Sequence, residues 1–277
     1  MARNEAVNDD NEVSSLEMGI KQSKSNRGGC GFFPTPHAVT LQKILAEVVG
    51  TYFVIFAGCG SVVVNKLYGG SITFPGICVT WGLIVMVMIY TVGHVSGAHF
   101  NPAVTFTQAV FKRFPWKLVP YYIVSQVAGS LLASFTLTLL FDVDHKSYFG
   151  TLPAGSNTQS LIIEIIISSI LMFVICGVAT DDRANGHFAG VVIGMTIILN
   201  VFVAGPISGA SMNPARSLGP AFVMHEFKGI WVYIVGPTVG IMFGAAIYQL
   251  LTFTNKPLSQ LWAERFECLN NNSDPES

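Results

Sequence analysis

Two asparagines in matching contexts are the residues of this chain best placed for chemistry. Asn101 and Asn213 each open an Asn-Pro-Ala triplet, and a Ser-Gly-Ala sequence precedes each triplet at the same distance. Asparagine is a preferred N-cap, and proline at the first helical position gives up an amide that would have no partner. Each triplet therefore predicts the start of a helix, with the asparagine oxygen capping it and the amide NH₂ left free to donate. The triplets are Asn101-Pro102-Ala103 and Asn213-Pro214-Ala215.

The helix that begins at Asn213 is predicted to be short. Roughly ten residues separate it from His225, which is too few to span a hydrocarbon core of about 30 Å. Long apolar runs flank the segment on both sides. Irregular backbone at membrane depth is tolerated only inside protein or beside water. The pattern therefore predicts a half-helix that enters the membrane and ends within it.

A cation lies in the same segment. Arg216 follows Asn213 by three residues, in a region with almost no other charge. A buried arginine held by backbone carbonyls repels cations and offers N–H donors to a solute oxygen or nitrogen. The N-terminal ends of two opposed half-helices, each with about half a positive charge, add to that barrier. A water that accepts from both asparagines aims its hydrogens outward, so a proton wire is broken while water passes.

Two acidic residues, Glu47 and Glu164, lie within the apolar runs. A carboxyl group at membrane depth is costly and usually faces the interior of a helix bundle with a partner. Two interpretations fit: a proton relay or ion site, or a structural bracket that accepts hydrogen bonds from re-entrant backbone. The bracket is favoured, because both residues occupy equivalent places in a repeat and neither has a second carboxyl or histidine nearby in sequence.

The composition excludes most other classes of protein. Of the 277 residues, 51% are hydrophobic and 11% are charged, against about 25% charged in soluble domains. The net charge of −1 excludes the basic surface of a nucleic-acid-binding protein. The five cysteines form no CxxC pair, and no nucleophile-base pair or phosphate-binding motif occurs. We therefore expect a membrane protein that is not an enzyme and has no metal, cofactor or nucleic-acid partner.

Six apolar runs are long enough to cross a bilayer. They cover about 42–64, 74–94, 118–141, 159–179, 187–205 and 229–252. An even number of crossings puts both ends of the chain on one side. All but four of the 15 Lys and Arg residues fall on that side, so the positive-inside bias predicts cytoplasmic termini. The four exceptions are Lys66, Lys146, Arg216 and Lys228.

The chain also repeats itself. Residues 46–56 and 163–173 are similar, each carries its glutamate in the same place, and each precedes one Asn-Pro-Ala triplet. Because each half has an odd number of crossings, the second half must be inverted relative to the first. The expected fold is an all-α membrane protein with six transmembrane helices and two re-entrant half-helices in an inverted repeat. Its predicted parts are a disordered cytoplasmic tail (1–38), a channel domain (39–254, with halves of about 42–141 and 159–252) and a cytoplasmic tail (255–277).

Three segments carry a resemblance to a known family. The sequences HFNPAVTF, SMNPARSLGPA and TVGHVSGAH resemble the aquaporin, or major intrinsic protein, family, and the similarity extends over about residues 42–252. The plant nodulin-26-like branch is especially similar. The resemblance implies a homotetramer in the lipid bilayer, with one pore per subunit, that passes water and small neutral solutes and excludes protons and ions. The plasma membrane is the expected location, with an internal membrane as the alternative.

The same resemblance assigns a selectivity filter. It makes Arg216 the arginine of an aromatic/arginine constriction and places the other filter positions at Trp81, Val201 and Ala210. Water-selective relatives have a histidine where this chain has Val201, so a wider, half-apolar constriction suited to glycerol is expected. Glycerol facilitators carry an aspartate where this chain has Ser217, which departs from their pattern.

Two alternatives stay open at this point. One is a metalloid-acid channel for boric, silicic or arsenous acid, or an ammonia channel, of the same fold. The branch members that carry boric or silicic acid have a smaller residue in place of Trp81, which ranks those solutes lower. The other is an ion-coupled secondary transporter, in which Glu47 and Glu164 form the coupling site.

Overall fold

The computed structural model describes residues 36–181 and 186–252, and within them the chain is almost entirely helical. The predicted tails, 1–38 and 255–277, lie outside the described residues except for 36–38, which belong to the first helix. The eight α-helices of the described part are α1 Pro36–Leu67, α2 Thr73–Ser96, α3 Pro102–Val110, α4 Val119–Leu140, α5 Asn157–Ile175, α6 Ala189–Ser208, α7 Pro214–Met224 and α8 Val232–Leu251.

Six of these helices, among the described residues, are long and apolar enough to cross a membrane. They are α1, α2, α4, α5, α6 and α8, which confirms the six predicted crossings. The helix α1 extends beyond the predicted run at both ends, because a helix continues into the interfacial zone where polar residues are solvated. Near the end of this helix, Lys66 Nζ also has a partner in the protein, because it donates to the carbonyl of Tyr148 at 2.6 Å.

The two remaining helices, α3 and α7, are the predicted half-helices. They have 9 and 11 residues and begin at Pro102 and Pro214. At about 1.5 Å of rise per residue, neither exceeds about 17 Å in length. Both therefore end well short of a full crossing, as predicted from the Asn-Pro-Ala triplets.

The helix packing has a pseudo-twofold pattern. Helix α1 packs against α2 and α4, and α5 packs in the same way against α6 and α8. Each half-helix contacts the last helix of the other half, α3 against α8 and α7 against α4, while α2 packs against α6 between the halves. This pattern confirms the inverted repeat of helix, helix, half-helix and helix.

Glycines allow the close approach of α8 to α5. A Cβ atom added to Gly240 would overlap the carbonyl oxygen of Ile165, and one added to Gly244 would overlap that of Ser169. Such backbone-to-backbone contact is a common way to pack helices in a bilayer, where lipid tails remove the hydrophobic driving force. The helix α8, which α3 contacts, is thereby held close to α5.

Candidate functional site

The two asparagines cap the half-helices. The backbone at Asn101 is extended (φ −151°, ψ 117°), and its Oδ1 accepts from the amide of Ala103 at 3.0 Å. At Asn213 the conformation is nearly the same (φ −152°, ψ 112°), and Oδ1 accepts from Ala215 at 2.9 Å. The prediction that each triplet starts a helix is confirmed.

The amide groups of the same asparagines cross from one half of the protein to the other. Asn101 Nδ2 donates to the carbonyl of Met212 at 2.7 Å, and Asn213 Nδ2 donates to the carbonyl of Phe100 at 2.8 Å. The expectation that the NH₂ groups are wholly free is therefore wrong for one hydrogen of each. The second hydrogen stays available, since a carboxamide nitrogen has two. Both side chains line a common cavity.

Strained backbone leads into each half-helix. Ala98 (φ 50°) and Phe100 (φ 49°) are left-handed in the first loop, and Ala210 (φ 49°) and Met212 (φ 54°) are left-handed in the second. This conformation costs an L-residue roughly 1–2 kcal/mol. Both loops repeat the same alternation, so the strain belongs to the architecture and must be offset by contacts around the loops.

Glu47 makes those contacts in the first loop. Its Oε1 accepts from Ser96 Oγ at 2.7 Å and from the amide of His99 at 3.0 Å. Its Oε2 accepts from the amide of Phe100 at 2.8 Å and from Gln126 Nε2 at 2.8 Å. The carboxyl group is fully buried, and both of its oxygens are occupied by donors of the protein.

Glu164 has the equivalent contacts in the second loop. Its Oε1 accepts from Ser208 Oγ at 2.6 Å and from the amide of Ser211 at 2.8 Å, and its Oε2 accepts from the amide of Met212 at 2.8 Å. Ser208 and Met212 correspond by position to Ser96 and Phe100. The two glutamates thus hold the same loop geometry in the two halves of the molecule.

The half-helices meet at a cavity of about 290 Å³. Both Asn side chains, Arg216 and Gln108 lie on its surface, together with the loop residues that precede the triplets. The rest of its wall is mainly apolar, formed by Val54, Val85, Ile89, Val104, Leu171, Ile175, Ala179, Ala189, Ile193 and Ile197. A passage of this kind offers few polar contacts, so each one has a large influence on what can pass.

The four residues assigned by resemblance to a filter all line this cavity: Trp81, Val201, Ala210 and Arg216. The guanidinium carbon of Arg216 lies 4.4 Å from the centroid of the Trp81 ring, within the range of a cation–π contact. Arg216 Nη2 donates to the carbonyl of Gly209 at 2.9 Å. Its Nε and Nη1 are buried and have no partner among the described residues. Their N–H groups are donors of the site that the described part of the protein leaves unpaired.

Ser217 takes no part in this surface. It is fully buried, its Oγ lies 2.6 Å from Ser211 Oγ, and it accepts from Thr151 Oγ1 at 2.7 Å. The position where the sequence departs from glycerol facilitators therefore lies behind the cavity wall. A serine there closes a local hydrogen-bond network.

Sequence reasoning missed two residues of the site. Gln108 lines the cavity, and its position seven residues after Asn101 on one helix could have revealed it. Gly58 packs under the filter: a Cβ there would overlap the ring of Trp81. No signal in the sequence pairs Gly58 with Trp81, because they lie on different helices.

No group of three or more metal-ligating side chains occurs in residues 36–181 and 186–252. The residues that line the cavity carry carboxamides, hydroxyls, one imidazole, one indole, one guanidinium and backbone groups, and no carboxylate is among them; the set suits hydrogen bonding with a neutral solute. The geometry is that of a narrow passage through a helix bundle.

Comparisons with known proteins agree with the sequence motifs. Residues 35–248 match the family described as Major intrinsic protein. A probable aquaporin NIP-type of Nicotiana alata is 65% identical over 256 residues, covering 92% of this chain and 94% of that protein. Nodulin-26 of Glycine max is 58% identical over 220 residues, covering 79% of this chain and 81% of that protein. The X-ray structure of the aquaglyceroporin from Plasmodium falciparum matches with a TM-score of 0.70 and 26% identity, covering 76% of this chain and 95% of that one.

Proposed function

This chain belongs to the major intrinsic protein family of membrane channels, and we propose that it conducts water and small uncharged solutes such as glycerol while excluding protons and other ions. The Trp81–Arg216 pair carries the proposal. It gives the constriction one flat apolar wall and one wall with free N–H donors. Glycerol has a carbon edge and a hydroxyl edge, which fit these two walls.

Val201 and Ala210 form the rest of the proposed filter and are small. Neither offers a polar side chain, so the opening is wider than one that holds an imidazole at the position of Val201. Boric, silicic and arsenous acid and ammonia rank below glycerol as substrates. The ring of Trp81 occupies space beside Arg216 that a smaller residue would leave to a compact, highly hydroxylated acid.

Ion exclusion rests on the centre of the passage and on Arg216. The N-terminal ends of α3 and α7 each contribute about half a positive charge where Asn101 and Asn213 meet. Each asparagine keeps one N–H beyond the one that it gives to the opposite loop. A water that accepts there has its hydrogens turned outward, which interrupts proton transfer along the file.

Glu47 and Glu164 are structural brackets in this proposal. Every carboxylate oxygen already accepts from donors of its own half, and both loops need those bonds to keep their left-handed residues. A coupling site of an ion-driven transporter would need an oxygen free to take up the ion. Transport is therefore passive, without coupling to a proton or sodium gradient.

The setting of the channel is also a proposal. The channel domain is taken as 39–254, with cytoplasmic tails at 1–38 and 255–277, as the distribution of Lys and Arg favours. Many large apolar side chains on the membrane-spanning helices are exposed, as a lipid-facing surface requires. By family resemblance the protein assembles as a homotetramer in the plasma membrane, with one pore per subunit.

Stopped-flow light scattering on proteoliposomes of the pure protein tests the function. Water and glycerol permeability are followed for the wild type, for Trp81→Gly and for Trp231→Gly, whose exposed indole lies at the start of α8. In the wild type we expect a glycerol flux that does not depend on an imposed pH gradient. Of the two variants, only Trp81→Gly should also conduct larger polyols. Absence of flux, or flux that follows a proton gradient, would reject the proposal.

A further inference from the structure

Gln108 occupies a place in the passage that the filter and the Asn pair leave unexplained. On α3 the residues Asn101, Val104 and Gln108 follow one another at the spacing of a single helix face, and all three line the cavity. Seven residues of helix separate Gln108 from Asn101 by about 10 Å. The carboxamide therefore lies about two turns beyond the centre of the passage, on the side away from Arg216.

The Gln108 side chain is buried but not satisfied. Only 7% of its surface is exposed, and Oε1 is buried without a hydrogen-bond partner among the described residues. Native proteins rarely leave a buried polar atom unpaired, and an exception calls for an explanation. An intermittent partner in the passage supplies one.

Nearby polar groups have partners already. Arg113 Nη1 lies 3.2 Å from Thr180 Oγ1 and 3.2 Å from Cys176 Sγ, and Thr180 Oγ1 donates to the carbonyl of Cys176 at 2.9 Å. These bonds engage the arginine and the hydroxyl at the same end of the passage. Neither group pairs with the oxygen of Gln108.

Much of the cavity wall gives a solute nothing to bond. Aliphatic side chains, among them Ile89, Leu171, Ile175 and Ile193, form a large share of the cavity surface. A polyol that has shed its hydration shell there loses hydrogen bonds that the wall cannot replace. More hydroxyl groups mean a larger loss, so this segment discriminates against polyols unless one polar group compensates.

We propose that the carboxamide of Gln108 is a second hydrogen-bonding station for solutes, which sets the preference for polyols over water in the half of the passage away from Arg216. The inference rests on the proposed channel function. Arg216 offers donors only, whereas a carboxamide both donates and accepts. Gln108 can thus engage two neighbouring hydroxyl groups, one through its oxygen and one through its NH₂. The solutes that it favours are small diols and triols, and amides such as urea.

The test is Gln108→Met, compared with Thr107→Val. Methionine keeps the length and flexibility of glutamine and removes the carboxamide. Thr107 lies on the same half-helix with a buried, unpartnered hydroxyl, and it is not part of the cavity wall, so its isosteric replacement is a matched control. Glycerol, urea and water permeability per channel are measured by stopped-flow light scattering on proteoliposomes.

In Gln108→Met we expect glycerol permeability to fall about fivefold, in line with the loss of one hydrogen bond, while water permeability changes less than about twofold. Thr107→Val should leave both unchanged. An unaltered ratio of glycerol to water permeability in Gln108→Met would overturn the inference, as would an equal change in Thr107→Val. Lack of flux in the wild type would reject the channel proposal itself, so the two failures are distinguishable.

Discussion

The two half-helices are held in the same way but present different side chains to the cavity. Asn101 and Asn213 cap them in the same way, and Glu47 and Glu164 hold the loops that precede them. Three residues past the capping asparagine, however, the first half has Val104 where the second has Arg216. Seven residues past it, the first half has Gln108 and the second has Pro220. The parts that hold the backbone are symmetric, and the parts that line the cavity are not.

This difference reflects separate demands on the two sets of residues. The strained loops need the same donors and acceptors in both halves, because the same left-handed conformation recurs at Phe100 and Met212. Selection between solutes needs unlike groups in series, since a second copy of Arg216 would add donors but no acceptor. Substitutions can therefore target the common scaffold or the unlike lining separately.

The largest effect should follow from breaking the scaffold. In Glu47→Gln and in Glu164→Gln, one acceptor oxygen becomes an NH₂ that faces donors of the loop. Charge-assisted hydrogen bonds are worth about 1.5–3 kcal/mol each, so the free energy of unfolding should fall by about 3 kcal/mol or more in both variants. Titration with SDS in mixed micelles, followed by tryptophan fluorescence, measures it.

Asp142→Asn is the control for these variants. Asp142 is exposed and follows the end of α4, so the loss of its charge should leave the unfolding free energy within about 0.5 kcal/mol of the wild type. Full stability of one glutamate variant alone would show that the two halves do not depend equally on their carboxylates. The symmetric part of the comparison would then be wrong.

A second substitution gives both half-helices the same residue at the third position after the capping asparagine. Arg216→Val gives the second half-helix the residue that the first carries at the same place, Val104. A unit charge about 5 Å from a passing cation contributes about 3 kcal/mol at an effective dielectric constant of about 20. Decay of an imposed proton gradient, read with an entrapped pH-sensitive dye, should therefore accelerate by about two orders of magnitude, since each ~1.4 kcal/mol is tenfold in rate.

The matched control for this variant is Arg113→Val. Arg113 is the arginine at the other end of the passage, where it contacts Thr180. Its loss should leave the proton leak within about twofold of the wild type, because a partly exposed charge is screened by solvent and salt. Equal leaks in the two variants would mean that the barrier does not depend on Arg216.

The smallest expected effect concerns the packing behind Trp81. Gly58→Ala adds a Cβ that overlaps the ring of Trp81, so the ring must move toward the passage or the helices must separate. Overpacking of this kind costs about 1–3 kcal/mol, and glycerol permeability should fall about threefold. Gly60→Ala is the control on the same helix. A Cβ added to Gly60 would lie 3.4 Å from its nearest neighbour, Leu137 Cδ2, so this variant should conduct glycerol like the wild type.

Local sequence signals predicted most of the fold. The apolar runs marked the six crossings, and the Asn-Pro-Ala triplets marked the starts of α3 and α7, because each signal lies within a few residues of what it specifies. The matching positions of Glu47 and Glu164 indicated the repeat. Inversion then followed from the odd number of crossings in each half.

The parts of the site that escaped prediction depend on contacts between distant residues. The bond from Asn101 to the carbonyl of Met212 requires two loops to meet, and no pattern within either loop specifies that distance. The contact of Gly58 with Trp81 joins different helices in the same way. The placement of Trp81, Val201 and Ala210 came from family resemblance, since as an isolated residue Trp81 resembles an interfacial anchor.

The crossed asparagine bonds have a consequence for the order of assembly. Asn101 cannot give its amide hydrogen to Met212 until the ribosome has added 111 further residues, and the carbonyl of Phe100 likewise has no donor until Asn213 has been added, 113 residues later. During synthesis the first half therefore enters the bilayer with its re-entrant loop incomplete. The hydrogen bonds between the two loops can form only after the second half has been synthesised. We therefore expect fragments that contain one half to fold poorly, and the midpoint of the passage to be among the last parts to become ordered.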